Sequence, residues 1–368
     1  MLIRDGLIAS VGPSRRVENL SEARAAREIE ASGRVVMPGF VDSHTHLAAG
    51  PLRFAEPEAR PEFVRGLPGS RLLLETRRHL RIHLRHGTTT LEGKSGAAGD
   101  ETGELKLLRA LAALNQQPLD VIPTCLAGRL IPLEYRGKPD DYLQWMCSQF
   151  LPKIRRRRLA RFVDAVCGPD GFTLSQAGRC LEAAQKLRFR VKVHAEQASH
   201  DGGARLAVEH GALSADHLNY ASEEDVALLA ASSTVATLLP GAVMGSAGDR
   251  LPPARALIDA GAAVALATGL SPGSPSPCNM QMVVALACSL FSMTPGEALA
   301  AATINGAHAL GIADRLGSLE AGKQADLIIL DVPDYREMSY HFGGNLVALT
   351  LKRGEVLYRQ GEVRWPED

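Results

Sequence analysis

Short apolar runs alternate with longer amphipathic stretches from residue 39 to about residue 310 of the chain. The runs are rich in Val, Leu and Thr, which is typical of strands that are buried on both faces. Eight of them are predicted as strands, at Gly39–Asp42, Thr88–Glu92, Asp120–Thr124, Phe162–Cys167, Val191–His194, Ala215–His217, Val235–Leu238 and Val264–Ala267. Four of the intervening stretches have helical spacing, at Ser70–His86, Leu105–Leu114, Ser175–Leu187 and Gly202–His210. Eight strands that alternate with helices predict an α/β fold, a (β/α)8 TIM barrel.

The two ends of the chain have a different pattern, in which short strands are separated by turns. Predicted strands near the start are Leu2–Ile3, Leu7–Gly12 and Arg34–Met37, and those near the end are Ala325–Leu330, Val347–Lys352 and Glu355–Tyr358. Pro38-Gly39 breaks the chain before the barrel begins. We therefore predict that residues 1–38 and 319–368 pair as one small β domain beside a barrel of residues 39–318.

Composition narrows the class of protein. The chain is 45% hydrophobic and has a formal net charge of zero, which argues against nucleic acid or an anionic membrane as the main partner. The one basic cluster, Arg155–Arg158, has no interleaved aromatic residues and is interpreted as a solvated helix face. Six cysteines without paired spacing predict reduced thiols in a cytoplasmic protein. No window has about 18 uninterrupted apolar residues, so no membrane span is predicted.

Four histidines lie at or just after the ends of predicted strands. His44 and His46 are two residues apart on extended chain, so both side chains face the same way. His194 and His217 end the strands that we count as the fifth and sixth. A lone histidine in such a place is usually structural, but the carboxyl ends of barrel strands surround the active site in this fold. Because imidazole suits zinc, iron, nickel or copper, the set predicts a metal site.

With these motifs in place, the chain resembles the amidohydrolase superfamily and, within it, the imidazolonepropionases, which open a ring in histidine breakdown. The matching segments are Met37–His46, Gly87–Gly96, Val191–Ala195, Gly211–Leu218, Pro272–Ser274, Met293–Leu299, Ala302–Asn305, Gly317–Leu327 and Tyr340–Asn345. The resemblance covers nearly the whole chain. It implies a metal-dependent (β/α)8 barrel with a β-sandwich made from both chain ends. It also implies a buried zinc or iron that activates water to cleave a cyclic amide C–N bond.

The resemblance also implies roles for five residues. By their positions, His44, His46 and His194 match metal ligands. His217 matches a histidine that contacts the metal-bound water or the substrate, and Arg53 matches an arginine that binds the substrate carboxylate.

Four other positions depart from the family pattern. Gly269 stands where the family has a metal-ligating aspartate that also takes a proton from water, and Gln197 stands where it has a catalytic glutamate. Ala97 replaces a tyrosine and Arg129 replaces a histidine. Metal-bound water can reach a pKa of about 7 without a carboxylate, so hydroxide formation is not forbidden. Gln197, however, can form hydrogen bonds to a substrate but cannot move a proton, because an amide has no usable pKa.

Replacements for the lost groups can be named. Glu196 would face the same side as His194 if the strand continued, and could then be a ligand or base. The alternative, which we favour, is that it bends away into the loop. Arg129 could recognise a carboxylate or phosphate, or pair with Glu134. Lys94 could be carbamylated, as lysines are elsewhere in the superfamily, although the imidazolonepropionase branch does not use such a group.

Three hypotheses stay open. The first is a divergent amidohydrolase that acts on a small imidazolone- or lactam-like ring with a carboxylate, through Zn²⁺ or Fe that is weakly bound or absent. The second is a non-hydrolytic cyclase, dehydratase or isomerase of specialised metabolism, and the third is a non-catalytic binding protein. The catalytic candidates are His217, Gln197 and Glu196, and the substrate-binding candidates are Arg53, Arg129, Ala97 and Gly269. We also expect a homodimer.

Overall fold

The computed structural model describes residues 1–48, 60–135, 137–169, 171–245, 250–271 and 276–365. Its strands are β1 (Leu2–Arg4), β2 (Leu7–Ser10), β3 (Val35–Pro38), β4 (Phe40–Asp42), β5 (Thr88–Lys94), β6 (Asp120–Ala127), β7 (Phe162–Val166), β8 (Arg190–Ala195), β9 (Ser214–His217), β10 (Val235–Leu238), β11 (Val264–Leu266), β12 (Leu327–Leu330), β13 (Val347–Lys352), β14 (Glu355–Arg359) and β15 (Glu362–Val363). Its α-helices are α1 (Ser14–Glu18), α2 (Arg60–Gly66), α3 (Gly69–Arg85), α4 (Glu101–Leu114), α5 (Pro139–Trp145), α6 (Leu151–Arg156), α7 (Leu174–Lys186), α8 (Gly203–Glu209), α9 (Glu223–Ala230), α10 (Pro240–Gly245), α11 (Ala254–Asp259), α12 (Met280–Leu290), α13 (Pro295–Ala301) and α14 (Ile304–Ala309).

Strands β4 to β11 form the barrel. They are hydrogen-bonded side by side in chain order, and every pairing between them is parallel. The two outer strands meet through the segments that follow them. Gly269 N–H donates to the carbonyl of His44 at 3.1 Å, and His46 N–H donates to the carbonyl of Leu270 at 2.7 Å. This arrangement confirms the predicted TIM barrel.

The helices cover the barrel with apolar faces. On α3, Leu72, Leu80 and Leu84 are buried at helical spacing, so one stripe of the helix packs on the sheet. Helix α7 begins at a capping box in which Thr173 and Gln176 satisfy each other's backbone N–H groups. These local signals explain why both helices lie within one residue of their predicted bounds.

The two chain ends meet in one antiparallel sheet. Its strand order is β15-β14-β13-β12-β3, and Met37 on β3 lies opposite Ile328 on β12. The β1–β2 pair is a separate two-stranded sheet that is tied to the C-terminal segment, because Ile8 N–H donates to the carbonyl of Lys323 at 2.8 Å. The small β domain built from both ends is therefore confirmed. The boundaries at residues 38 and 318 stay a prediction.

The structure can also be compared with the predictions for the basic cluster, the cysteines and membrane-spanning helices. Arg155 to Arg158 are exposed, as a solvated face requires. All six cysteines are free thiols that form no disulfide bond. Within the described ranges, no helix has both the length and the apolar character needed to cross a bilayer. A π-helical turn over Met146–Phe150 joins α5 to α6 and has no counterpart in the predicted elements.

Candidate metal centre and active site

Four histidine side chains meet at the carboxyl ends of three barrel strands. His44 and His46 follow β4, His194 is the penultimate residue of β8, and His217 ends β9. The ring centroid of His44 lies 4.7 Å from that of His194 and 5.1 Å from that of His217. All four side chains are buried. The fold therefore brings together the histidines that the strand positions singled out.

Three of these histidines have the arrangement of a metal site. Ligand nitrogens of His44, His46 and His194 all lie within 4.8 Å of one another. Asp216 Oδ2 lies 2.7 Å from His44 Nδ1, and a carboxylate there holds the proton and leaves Nε2 for an ion. His194 Nε2 is buried without a hydrogen-bond partner among the described residues, and its Nδ1 lies 3.0 Å from Asp164 Oδ2. Such a set of imidazole donors fits Zn²⁺ or Fe²⁺.

Burial keeps the imidazoles in the neutral form that binds metal. Burial lowers the pKa of His44 well below its usual range, the charge on Lys94 lowers it further, and Asp216 opposes both effects. Burial and the neighbouring Arg129 guanidinium lower the pKa of His46 in the same way. Burial, helped by His194, lowers the pKa of His217 to about 3.

A buried ionic network lies beneath the histidines. Lys94 Nζ lies 2.5 Å from Asp164 Oδ2, 3.0 Å from Glu92 Oε2 and 3.2 Å from Asp216 Oδ2. Lys192 Nζ donates to Glu92 Oε2 at 2.6 Å. Burial opposes the charge on Lys94, but the three carboxylates outweigh it and raise the pKa of Lys94 above its usual value. Lys94 is therefore an ammonium group, and a carbamate, which needs a neutral amine, is not favoured.

This network was not predicted, although it fixes the histidines. Asp216 contacts both Lys94 and His44, and Asp164 Oδ2 lies 3.0 Å from His194 Nδ1. The available signal in the sequence was the presence of ionisable residues inside apolar strands, such as the lysine of Val191-Lys-Val193. Lys94 and Asp164 are 70 residues apart, so local patterns could not pair them.

Gly269 lies in the closing segment of the barrel. Its φ of +63° is in the left-handed region, and its N–H donates to the carbonyl of His44. A Cβ atom at this position would lie 2.7 Å from Leu239 Cδ2, and its next neighbour would be Ala242 Cβ at 3.4 Å. The space around this residue is therefore filled on the side where a side chain would begin.

Glu196 and Gln197 lie in the loop after β8. The Glu196 backbone has a φ of +52°, which ends the extended chain. Its carboxylate accepts hydrogen bonds from the N–H groups of Asp201 at 2.6 Å and Ala204 at 3.0 Å, so it caps the start of α8. Of the two alternatives for Glu196, the side chain takes the loop one, with both carboxylate oxygens bound to backbone N–H groups. Its role as a ligand or base stays a prediction. The Gln197 side chain is exposed.

The remaining candidates for substrate binding differ in their surroundings. Ala97 is buried in the segment after β5. Arg129, after β6, is half-buried, and its Nη1 lies 2.6 Å from Nε2 and 2.9 Å from Nδ1 of His46. Arg53 lies outside the described residues. The fold thus brings Arg129 directly to the histidine cluster.

Residues 35–357 match the sequence profile of the Amidohydrolase family. The chain belongs to this family. An imidazolonepropionase of Porphyromonas gingivalis is 41% identical over 97% of this chain and 89% of its own length. An imidazolonepropionase of Geobacillus kaustophilus is 39% identical over 98% of this chain and 90% of its own length.

Solved structures of amidohydrolase-type barrels have the same fold. An adenosine deaminase from Xanthomonas campestris with bound zinc superposes with a TM-score of 0.73 at 20% identity, over 98% of this chain and 88% of that one. A 5-methylcytosine deaminase from Klebsiella pneumoniae gives 0.76 at 18% identity, over 99% of this chain and 96% of that one. At such identities the likeness concerns the fold alone.

Two further groups of potential ligand atoms are already engaged in this amidohydrolase fold. In the first, Asp164, His194 and Asp216 approach one another, but the Lys94 ammonium lies against both carboxylates. In the second, Glu196 groups with His200 and Asp225, and both carboxylates accept backbone N–H groups at helix starts. Among the groups that the described residues form, the three-histidine group is the one without a carboxylate already bound to a cation or to backbone N–H groups, and it fits a metal ion best.

Proposed function

We propose that this protein is a divergent imidazolonepropionase-like amidohydrolase that opens a small cyclic amide, imidazolone- or lactam-like, which carries a carboxylate. The observation that carries the proposal is the group of ligand nitrogens of His44, His46 and His194 at the barrel mouth. The imidazolonepropionases at about 40% identity support this class of substrate. The four departures from the family pattern favour a substrate other than that of these relatives.

The roles of the protein's own residues follow from their contacts. Zn²⁺ or Fe held by the three histidines would supply an activated water near neutral pH. Asp216 fixes the proton of His44 on Nδ1. We assign to His217, which is buried 5.1 Å from His194 between ring centroids, a hydrogen bond to the substrate carbonyl. We assign the substrate carboxylate to Arg53 and Arg129, because a guanidinium binds a carboxylate with two parallel bonds.

A non-hydrolytic reaction is the second candidate, and one observation favours it. Ring opening by water needs a group that accepts a proton and a group that returns one to the leaving nitrogen. Glu196 has both oxygens bound to the backbone, and Gln197 is an amide. A cyclase, dehydratase or isomerase of specialised metabolism does not use water as its nucleophile, so it would not need the group that takes a proton from water.

Turnover in ¹⁸O-labelled water tests the proposal. The protein is loaded with Zn²⁺ or Fe²⁺ and offered imidazolone propionate and a panel of lactams that carry a carboxylate. Ring-opened product with one ¹⁸O atom supports hydrolysis, and His194→Gln should abolish it. Converted product without the label favours the non-hydrolytic reaction. Binding without turnover of any compound would leave the binding protein as the remaining hypothesis.

A further inference from the structure

The guanidinium of Arg129 lies against His46, which is one of the three histidines that would bind a metal ion. Nη1 of Arg129 lies within 2.9 Å of both ring nitrogens of His46. His46 supplies one of the three grouped ligand nitrogens. A guanidinium has only donors, and a neutral imidazole has one accepting nitrogen because the other carries the proton, so an imidazole that accepts from Arg129 has no lone pair to offer an ion. Arg129 and a metal ion therefore compete for His46.

The charges around the cluster add to this competition. The buried carboxylates of Glu92, Asp164 and Asp216 are matched by the cations Lys94, Lys192 and Arg129. These six groups are neutral as a set. A dication added to neutral imidazoles brings two positive charges close to a fixed guanidinium, and these charges repel one another. Position 269, a glycine, supplies no negative charge.

We propose that Arg129 is an anion-dependent gate on His46. While it contacts His46, it excludes the metal. When an anionic group enters the mouth, the guanidinium pairs with that group and releases the imidazole, so that metal and anion bind together. The inference rests on the proposed function, because the anion that would open the gate in turnover is the carboxylate of the substrate.

Reciprocity follows from this mechanism. If a carboxylate tightens metal binding by some factor, the metal must tighten carboxylate binding by the same factor. The protein would then hold little metal without substrate and would bind the metal ion together with the substrate. The carboxylate at this point is recognised by the planar fork of Arg129, which a lysine cannot reproduce.

The dissociation constant of Zn²⁺, measured by competition with a chromophoric chelator, tests the gate. Wild type, Arg129→Met and Arg129→Gln are compared in sodium chloride and in sodium propionate at equal ionic strength. We expect propionate to tighten Zn²⁺ binding to the wild type by roughly tenfold or more. Both variants should bind Zn²⁺ more tightly than the wild type in chloride and should not respond to propionate. Arg156→Met, which removes an exposed arginine from α6, should behave as the wild type.

Three results would overturn the gate. Equal Zn²⁺ constants for wild type and both variants in chloride, with the same response to propionate, would show that Arg129 does not control the site, and the proposed function would stand. Weaker Zn²⁺ binding in both variants, with native circular dichroism, would show that Arg129 positions His46 for the metal. No Zn²⁺ binding by any variant in either salt would remove the metal-dependent function together with the gate.

Discussion

The barrel mouth has two unlike parts. From β4 to β9, several residues near the strand ends are ionisable and contact a neighbour from another strand, as Asp216 contacts His44 and Lys94. From β10 to β11, the chain continues into Leu239 and Gly269, and Gly269 contributes a backbone N–H to the carbonyl of His44. The ionic network thus contacts the histidine side chains, whereas the closing half is hydrogen-bonded to the backbone of His44 and His46. We expect a side-chain change in the closing half to affect the metal site less than a change in the ionic network.

The largest expected effect lies in the ionisable half. Lys94→Met should lower the free energy of unfolding by about 3–5 kcal/mol, because it leaves three buried carboxylates without their common cation. Guanidinium denaturation measures the change. Arg156→Met, on an exposed face, should change stability by less than about 0.5 kcal/mol. A loss below about 1 kcal/mol for Lys94→Met would mean that the network does not hold this half together.

Asp216→Asn should weaken Zn²⁺ binding by about 10- to 100-fold, because it removes the carboxylate that orients His44. Gly269→Ala in the closing half is the matched comparison and should alter the Zn²⁺ constant little. Both constants come from chelator competition in propionate buffer. Equal losses for the two variants would contradict the division of the mouth into two parts.

A third change concerns the amino-terminal end of β6, on the side of the barrel away from the histidines. Residues on that side of a TIM barrel usually serve stability rather than catalysis. Asp120 accepts a hydrogen bond from Lys352 Nζ at 2.9 Å and contacts Arg353, which ties the barrel to the small sheet. Burial works against the charged carboxylate, but Lys352 and Arg353 lower the pKa of Asp120 below its usual value. Asp120→Asn should therefore cost about 1.5–3 kcal/mol at pH 7.

The pH dependence of this effect has a definite sign. Because the folded pKa is lowered, the stabilisation is fully present above the unfolded pKa of about 4 and is lost as pH falls through the folded value. The stability difference between wild type and Asp120→Asn should be constant from pH 7 to 5 and shrink below pH 4. Urea denaturation at several pH values measures it. A difference that grows on acidification would show that Asp120 is not charged in the folded protein.

The smallest expected effects concern Gly269 itself. Gly269→Ala should cost about 1–2 kcal/mol, because φ is +63° and the new Cβ would lie 2.7 Å from Leu239 Cδ2. Gly269→Asp and Gly269→Asn share that cost, so a tighter Zn²⁺ constant for Asp than for Asn would isolate the carboxylate. We expect such tightening to be a few-fold. Identical constants would show that a carboxylate at position 269 does not reach the histidines.

Adding Gln197→Glu to Gly269→Asp extends this test to function. The double variant should bind metal more tightly yet turn over the native substrate more slowly, because crowding and negative charge oppose an anionic group in the mouth. Steady-state kinetics measures the turnover rates of the wild type and of the double variant. Efficient hydrolysis of imidazolone propionate by the double variant, with no other loss, would identify the site as a decayed imidazolonepropionase and refute adaptation to a new ligand.

The sequence located the strands of the barrel because strands buried on both faces leave uninterrupted apolar runs. Val235–Leu238 begins and ends as predicted, and β5 and β6 are two and three residues longer than predicted. Helices such as α10 and α11 span six residues each, which is less than two full turns, so their periodicity is too short to detect.

The candidate site was predictable where it depended on strand ends. The convergence of His44, His194 and His217 follows from the barrel rule alone. The bend at Glu196 was one of two predicted alternatives. The sequence alone could not choose between them, because the hydrogen bonds from the N–H groups of Asp201 and Ala204 to its carboxylate depend on the folded loop. The contact between Arg129 and His46 was not predictable, since the barrel rule places Arg129 at the mouth but does not say which neighbour its long side chain meets.

The sheet that joins both chain ends has a consequence for biosynthesis. Met37 on β3 pairs with Ile328 on β12, about 290 residues later. At a translation rate of about 5–20 residues per second, β3 leaves the ribosome roughly 15–60 s before its partner is made. During that interval the edge of β3 is open to other chains. We therefore expect the yield of native protein to depend on chaperones that shield nascent chains more than on the stability of the finished barrel.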